Sequence, residues 1–360
     1  MLDRVLTHLE ALVAFDTRNP PRRIGTGGIF DYLRAHLPGF SIRVDDFGAG
    51  AVSLLAVRGA PKRLFNVHLD TVPDAPAWTA DPLRMRRADD RVIGLGVCDI
   101  KGAAAGLLAA AEVTAGDAAF LFTTDEEAND ARCIAGFLAQ GHGFAEALVA
   151  EPTRCEAVAV HRGISSVRMC FHGRAGHASS PDALTHNALH HALRWGHRAL
   201  EWVEGQQADT FAGLQGLRFN VGRIEGGIKA NVVAPTAEVR FGFRPLPSMG
   251  LDAVHGALRG MAAPGVVASY EETFRGPPLP SGDPSRADAR RAEAEALAAA
   301  LGLPLGPAVD FWTEACLFSE AGLTAFVFGP GDIAQAHTAD EWVSHDQLHR
   351  YAAHARRLIG

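Results

Sequence analysis

Four short, largely apolar runs constrain what this chain can fold into: Arg63–Val67, Ala118–Phe122, Ala147–Ala150 and Thr324–Phe328. Each is the length of a strand, and each lacks the polar alternation of a strand that faces water on one side. That pattern belongs to strands buried on both faces. Helical patterns separate or flank them, at 2–15, Gly27–Leu37, Gly102–Thr114, Ser285–Leu301 and Asp346–Ile359. Strands alternating with helices predict an α/β fold, a mostly parallel sheet covered by helices. The small residues of Gly102–Thr114 predict close packing.

A different pattern begins after residue 163. Ser165–His172 alternates as a half-exposed strand, and Asn187–Val203 has the apolar spacing of an amphipathic helix. Two strands, Leu217–Ile224 and Asn231–Phe243, meet at Glu225-Gly226-Gly227, and Leu251–Met261 closes the segment as a helix. Residues 164–272 are therefore expected to form an α+β domain inserted into a first domain made of 1–163 and 273–360.

Composition removes several classes of function. At 48% apolar and 21% charged residues, the chain can bury a core without disulfides. A net charge of −7 offers no basic field, so nucleic acid is not an expected partner. No apolar run approaches the roughly 20 residues that span a bilayer, and a membrane is not expected either. The amphipathic first residues are unlike the apolar block of a signal peptide. The 5 cysteines are scattered without a C-x-x-C pair, which fits reduced thiols and a cytoplasmic setting.

The chemistry collects where the strands end. His68-Leu69-Asp70 follows the first run, Asp125-Glu126-Glu127 the second, Glu151 the third, and the glycine turn Gly329-Pro330-Gly331 leads from the fourth to His337. Asp99 sits in the glycine-rich turn before the small-residue helix. In parallel sheets the chemistry lies beyond the carboxyl ends of the strands. So many carboxylates in one cleft would repel one another and take up protons. A pair of divalent cations removes the conflict, with one carboxylate shared between them. Imidazole and carboxylate donors favour zinc, and cobalt can substitute. His68 and Asp70 leave an extended chain on one face, so the carboxylate can fix the imidazole's tautomer. Glu126 and Glu127 point in different directions; one can bind an ion while the other reaches an attacking water.

The set His68-Leu-Asp70, Asp99-Ile-Lys-Gly102, Asp125-Glu126-Glu127, Glu151-Pro-Thr153 and Gly329-Pro-Gly to His337 resembles the dinuclear metallopeptidase family. That family includes acetylornithine deacetylase, succinyl-diaminopimelate desuccinylase, carboxypeptidase G-type enzymes and aminoacylase-1. The likeness runs from the first helix to the last, with the motifs in the family's order. Val309-Asp-Phe-Trp-Thr-Glu314-Ala and Thr124-Asp-Glu-Glu-Ala-Asn129 resemble a branch acting on an N-acetyl amino acid of arginine biosynthesis, citrulline ahead of ornithine.

The resemblance implies two divalent ions, with Asp99 as the bridging ligand. It implies His68 and Glu151 on one ion and Glu127 and His337 on the other, Asp70 orienting His68, and Glu126 as general base. It implies further that the inserted domain is a lid and homodimer contact. There His177 would stabilise the oxyanion at a partner subunit's site, and Asn231 and Arg244 would hold the substrate carboxylate. Arg162 and Glu314 are additional candidates for substrate binding. The reaction implied is amide hydrolysis, releasing acetate and a free amino acid. A dipeptidase or carboxypeptidase on the same scaffold is the alternative. A non-catalytic binding relative would not need Glu126 beside a complete ligand set.

Overall fold

The computed structural model describes residues 1–128 and 130–360. Asn129, the last residue of the Thr124–Asn129 stretch quoted above, lies outside the described residues. The chain divides into two compact units. The first comprises Met1–Ala159, Ala289–Gly306 and Thr313–Gly360, the second Val160–Asp288 and Pro307–Trp312. By this division residues 160–163, 273–288 and 307–312, expected above in the first domain, fall in the second unit. Backbone pairing is the reason: Val267–Gly276 is a strand of the second unit's sheet, and His161 bridges to both Leu279 and Val309.

In the first unit a 6-stranded sheet runs in the order Ser41–Asp46, Val52–Arg58, Ala118–Thr123, Arg63–His68, Glu146–Val149, Thr324–Val327. The last four are mutually parallel, and the first two add antiparallel at one edge. The apolar runs are the parallel strands, buried as their composition requires: every residue of Ala118–Thr123 is buried. His68 is the last residue of a central strand flanked by Ala118–Thr123 and Glu146–Val149. The acidic residues after those two strands therefore emerge beside it.

The helix Lys101–Ala111 is buried along its whole length. It packs against the Arg63–His68 strand and between the helices Leu2–Val13 and His345–Leu358. Its small residues make that approach possible. A Cβ on Gly106 would lie 2.7 Å from the Tyr351 ring, and one on Gly102 would lie 2.5 Å from the Val97 carbonyl oxygen. Because its N-terminus follows Asp99 directly, the packing of this helix fixes where that carboxylate stands. A small antiparallel sheet of Arg86–Arg87, Arg91–Ile93 and Trp342–Ser344 ties the segment after His337 to the stretch before Asp99.

The second unit has a 4-stranded antiparallel sheet ordered Arg218–Gly226, Thr236–Arg244, Ile164–His172, Val267–Gly276. The helices Ala188–Gly205 and Leu251–Gly260 supply its core, built on Trp195, Phe171, Phe241 and Leu258. Asn187 caps the first of them by accepting from the Leu189 amide. The strand expected from Asn231 begins only at Thr236. Pro235 has no N–H for a ladder, and the stretch before it pairs elsewhere: the Val233 amide donates to Gly176 and the Ala178 amide to Asn231.

Candidate metal centre

His68 places Nε2 3.1 Å from Asp99 Oδ1 and 3.7 Å from Glu151 Oε1. On the other side of Asp99, His337 Nε2 lies 3.4 Å from Oδ2 and 3.1 Å from Glu127 Oε1. Asp99 therefore turns one oxygen to each imidazole, the disposition of a carboxylate shared by two ions. Two donor triads result, His68–Asp99–Glu151 and Asp99–Glu127–His337, and within each the donor atoms lie inside 4.8 Å. Imidazole nitrogen and carboxylate oxygen in this arrangement fit a pair of divalent transition-metal ions.

The electrostatics agree. Burial first, and then the neighbouring Asp99 charge, push the Glu151 carboxyl up to about 7. Burial likewise raises Glu127. Glu126 is raised well above the carboxylate range by burial, with the Glu151, Glu127 and Glu314 charges adding to it. Burial disfavours the charged imidazole of His68, but Asp70, Asp99 and Glu151 outweigh it and raise its pKa. The Asp99 and Glu127 hydrogen bonds lift His337 to about 11. Asp99 moves the opposite way: burial opposes its charge, but His337 and His68 together hold it below the usual range. Crowded acids that resist ionisation beside imidazoles that hold protons are what a divalent pair would relieve.

Around these donors the orientation is set by further contacts. His68 Nδ1 is 3.0 Å from the Asp70 carbonyl and 3.5 Å from its Oδ1, so Nδ1 keeps a proton, and Nε2, the nitrogen an ion would take once its own proton leaves, faces Asp99 and Glu151. Asp70 Oδ2 accepts from Asn19 Nδ2 at 2.9 Å and from the Glu127 amide at 3.1 Å. The carboxylate beside His68 thereby also holds the backbone amide of Glu127. Glu126 belongs to neither triad.

Two contributors carried no role in the sequence reading. Glu341, 1% exposed, accepts the amides of Gly96 at 2.9 Å, Cys98 at 2.8 Å and Asp99 at 2.9 Å. It clamps the loop that presents the shared carboxylate. Asn19 lies just past the first helical pattern, before Pro20-Pro21, and nothing beside it in sequence points to Asp70. Both act on segments remote in sequence, and Glu341's place soon after His337 was the one local signal.

The remaining candidates divide between the units. Glu314, in the first, is 2% exposed, with Oε2 3.5 Å from Thr123 Oγ1 at the strand ends. Burial, then the Asp125 charge, raise its carboxyl well above the usual range. In the second unit His177 and Asn231 are adjacent: His177 bridges Val232, and Asn231 accepts the Ala178 amide at 3.1 Å. The Ser179 amide donates to His177 Nδ1, which puts the ring proton on Nε2. Arg244 ends the strand that begins at Thr236, so roughly 25 Å of extended chain separates it from the Asn231 end. It borders a recess of about 260 Å³ with Ser166, Asn220 and Phe243. Arg162 is buried and committed: Nε donates to Asp310 at 2.5 Å, and its terminal nitrogens donate to the carbonyls of Gly216 and Gln215.

Residues 64–360 match the family described as Peptidase family M20/M25/M40, and the chain belongs to it. Among curated relatives it is 64% identical over 360 residues to the N-acetyl-L-citrulline deacetylase of Xanthomonas campestris pv. campestris, covering 100% of this chain and 98% of the relative. An acetylornithine deacetylase from Myxococcus xanthus is 33% identical, with 98% of this chain and 95% of that protein covered. Solved structures share the fold. Aminopeptidase PepT from Bacillus cereus superposes with a TM-score of 0.77 at 18% identity, covering 100% and 98% of the two chains. The Bacillus subtilis YXEP protein, described as a dinuclear metal binding peptidase, has a TM-score of 0.64 at 14% identity, covering 99% and 97%.

Proposed function

We propose that this chain hydrolyses the acetamide bond of N-acetyl-L-citrulline, yielding L-citrulline and acetate as a cytoplasmic step of arginine biosynthesis. The observation that carries this reading is the 64% identity, over the whole chain, to a protein named for that reaction. The two triads sharing Asp99 supply the chemistry it needs. Zinc is the proposed native ion, since mixed imidazole and carboxylate donors suit it.

Bound there, the cation pair supplies Lewis-acid activation of a water and of the amide carbonyl. The protein's part is positional and protonic. Asp70 and Asn19 hold His68 in the tautomer that turns Nε2 toward Asp99. Glu126 accepts a proton as the water oxygen bonds to the acyl carbon. It then returns that proton to the amine nitrogen as the carbon–nitrogen bond breaks. Glu314, buried beside Thr123 at the strand ends, is proposed to face the substrate's side chain. Arg162 is left out of this account, because its donors are already engaged within its own unit. The test is acetate release from N-acetyl-L-citrulline, N-acetyl-L-ornithine and a dipeptide panel. The citrulline derivative should give the highest kcat/KM, and preferred cleavage of dipeptides would replace this reading with a peptidase.

The proposal extends to a homodimer formed through the second unit, acting as the lid. In support, the edge strand Arg218–Gly226 exposes Val221 and Ile224. Leu193 and Leu200 stand out from the helix Ala188–Gly205 at 60% and 49% exposure. Arg244 and the His177–Asn231 pair lie too far apart along the sheet for one copy to bring both to a small substrate. We assign Arg244 to the substrate carboxylate, and His177, with its proton on Nε2, to the oxyanion at the partner subunit's site, with Asn231 beside it. His177→Ala is then expected to lower kcat by about 10²–10³-fold, the usual cost of one oxyanion donor. Under subunit exchange with Glu126→Gln, activity should return, because one site of the mixed dimer carries neither defect. Exchange without recovery would reject the role across the interface.

A further inference from the structure

Away from the strand ends, a second kind of donor cluster lies where three helices of the first unit meet. His8 comes from the helix Leu2–Val13, His36 caps the helix Ile29–Ala35, and Glu112 caps the helix Lys101–Ala111. Glu112 Oε1 is 3.1 Å from His8 Nε2 and 3.7 Å from His36 Nδ1, and one donor atom from each residue lies within 4.8 Å of the others. A tetrahedral zinc with bonds of about 2.0–2.1 Å has donor-to-donor edges of about 3.3–3.4 Å. The two distances bracket that edge.

Each of the two more buried donors is already oriented from behind. His8 is 3% exposed, and its Nδ1 is 2.8 Å from the Tyr32 hydroxyl, which can accept an Nδ1–H once Nε2, now toward Glu112, gives up its proton to an ion. Glu112 Oε2 accepts from Arg4 Nη1 at 2.8 Å, which leaves Oε1 for the two imidazoles. Hydrogen bonds of this kind to the far side of an imidazole and a carboxylate are typical of metal ligands. Burial also holds the His8 pKa below its ordinary value, which favours the neutral ring that binds metal. His36, half-exposed, leaves the position open on one side to solvent.

We propose that His8, His36 and Glu112 form a further transition-metal site, zinc-binding and structural, that clips the first two helices to the end of Lys101–Ala111. It is separate from the paired centre. Asp99 precedes that helix and Glu112 follows it, so roughly 17 Å of helix axis lies between them. The three ligands come from three segments, so an ion there cross-links them.

His36→Ala tests the site without opening the core, because the residue is half-exposed at a helix end. Wild type and variant are dialysed against buffered micromolar zinc, and bound metal is counted per chain. The wild type should hold one more zinc than the variant, and zinc should raise its melting temperature by more. Hydrolysis of the N-acetyl amino acid should be the same in both. Equal zinc counts overturn the site and leave a hydrogen-bonded network of Arg4, Glu112, His8 and Tyr32. Loss of an ion together with loss of turnover also overturns it, since the missing ion would belong to the paired centre. The comparison is a difference of one ion, so it holds whatever the occupancy of that centre.

Discussion

Glu126→Gln should retain both ions and lose about 10²–10⁴-fold in kcat, the range that a positioned general base supplies. The two halves of this result have separate causes. Metal persists because Glu126 lies outside both donor triads, whose members are His68, Asp99, Glu151, Glu127 and His337. Turnover falls because the amide of glutamine is nearly the same shape as the carboxylate but cannot take a proton. Glu126 also stands in surroundings that favour taking one up. Burial raises its pKa, and the charges of Glu151, Glu127 and Glu314 raise it further, so its proton affinity is above that of a solvated glutamate. Bound cations would lower that affinity again, which helps the residue give back the proton it has taken. Elemental analysis alongside steady-state kinetics checks both halves. Near-normal kcat in a fully loaded variant would assign the proton transfer to another residue.

Asp99→Ala is expected to cost more, because it removes one oxygen from each triad at once. Each triad is left with two protein donors, His68 with Glu151 or Glu127 with His337, and two donors are too few to hold either ion against a chelator. Both ions and all measurable turnover should disappear together. Glu151→Ala is the control. It strips a donor from one triad only, so that variant should keep the ion held by Asp99, Glu127 and His337. Dialysis followed by metal analysis distinguishes the cases. An Asp99→Ala protein that retains one tight ion would show that Asp99 belongs to a single triad.

Much of this site was legible in the sequence because parallel strands impose a rule: they are short, apolar and end on the same side. Once Arg63–His68, Ala118–Thr123 and Glu146–Val149 are recognised as neighbours, His68, Glu126, Glu127 and Glu151 must emerge together. Polar strands broke no such silence. Ser41–Asp46 reads Ser-Ile-Arg-Val-Asp-Asp and is never fully buried, and Val267–Gly276 carries Glu271, Glu272 and Arg275. Both are edge strands, where pairing on one side suffices and hydrophobic pattern is weak. Glu341 and Asn19 escaped for another reason. Each acts by accepting or donating hydrogen bonds to a distant segment, and nothing in its own neighbourhood reports the partner. Arg162 illustrates the converse, a conspicuous cation whose obligations lie within its own unit.

The clamp that Glu341 places on Gly96, Cys98 and Asp99 makes the centre depend on the order in which the polypeptide is made. Most of the donors are translated early, from His68 to Glu151, but the loop under Asp99 acquires its anchor only with residue 341, shortly after His337 supplies the last ligand. A nascent or prematurely terminated polypeptide can build the early strands and still lack a settled bridging carboxylate. The position of Asp99 thus rests on a residue 242 positions later in the chain, and a truncation before Glu341 is expected to loosen it.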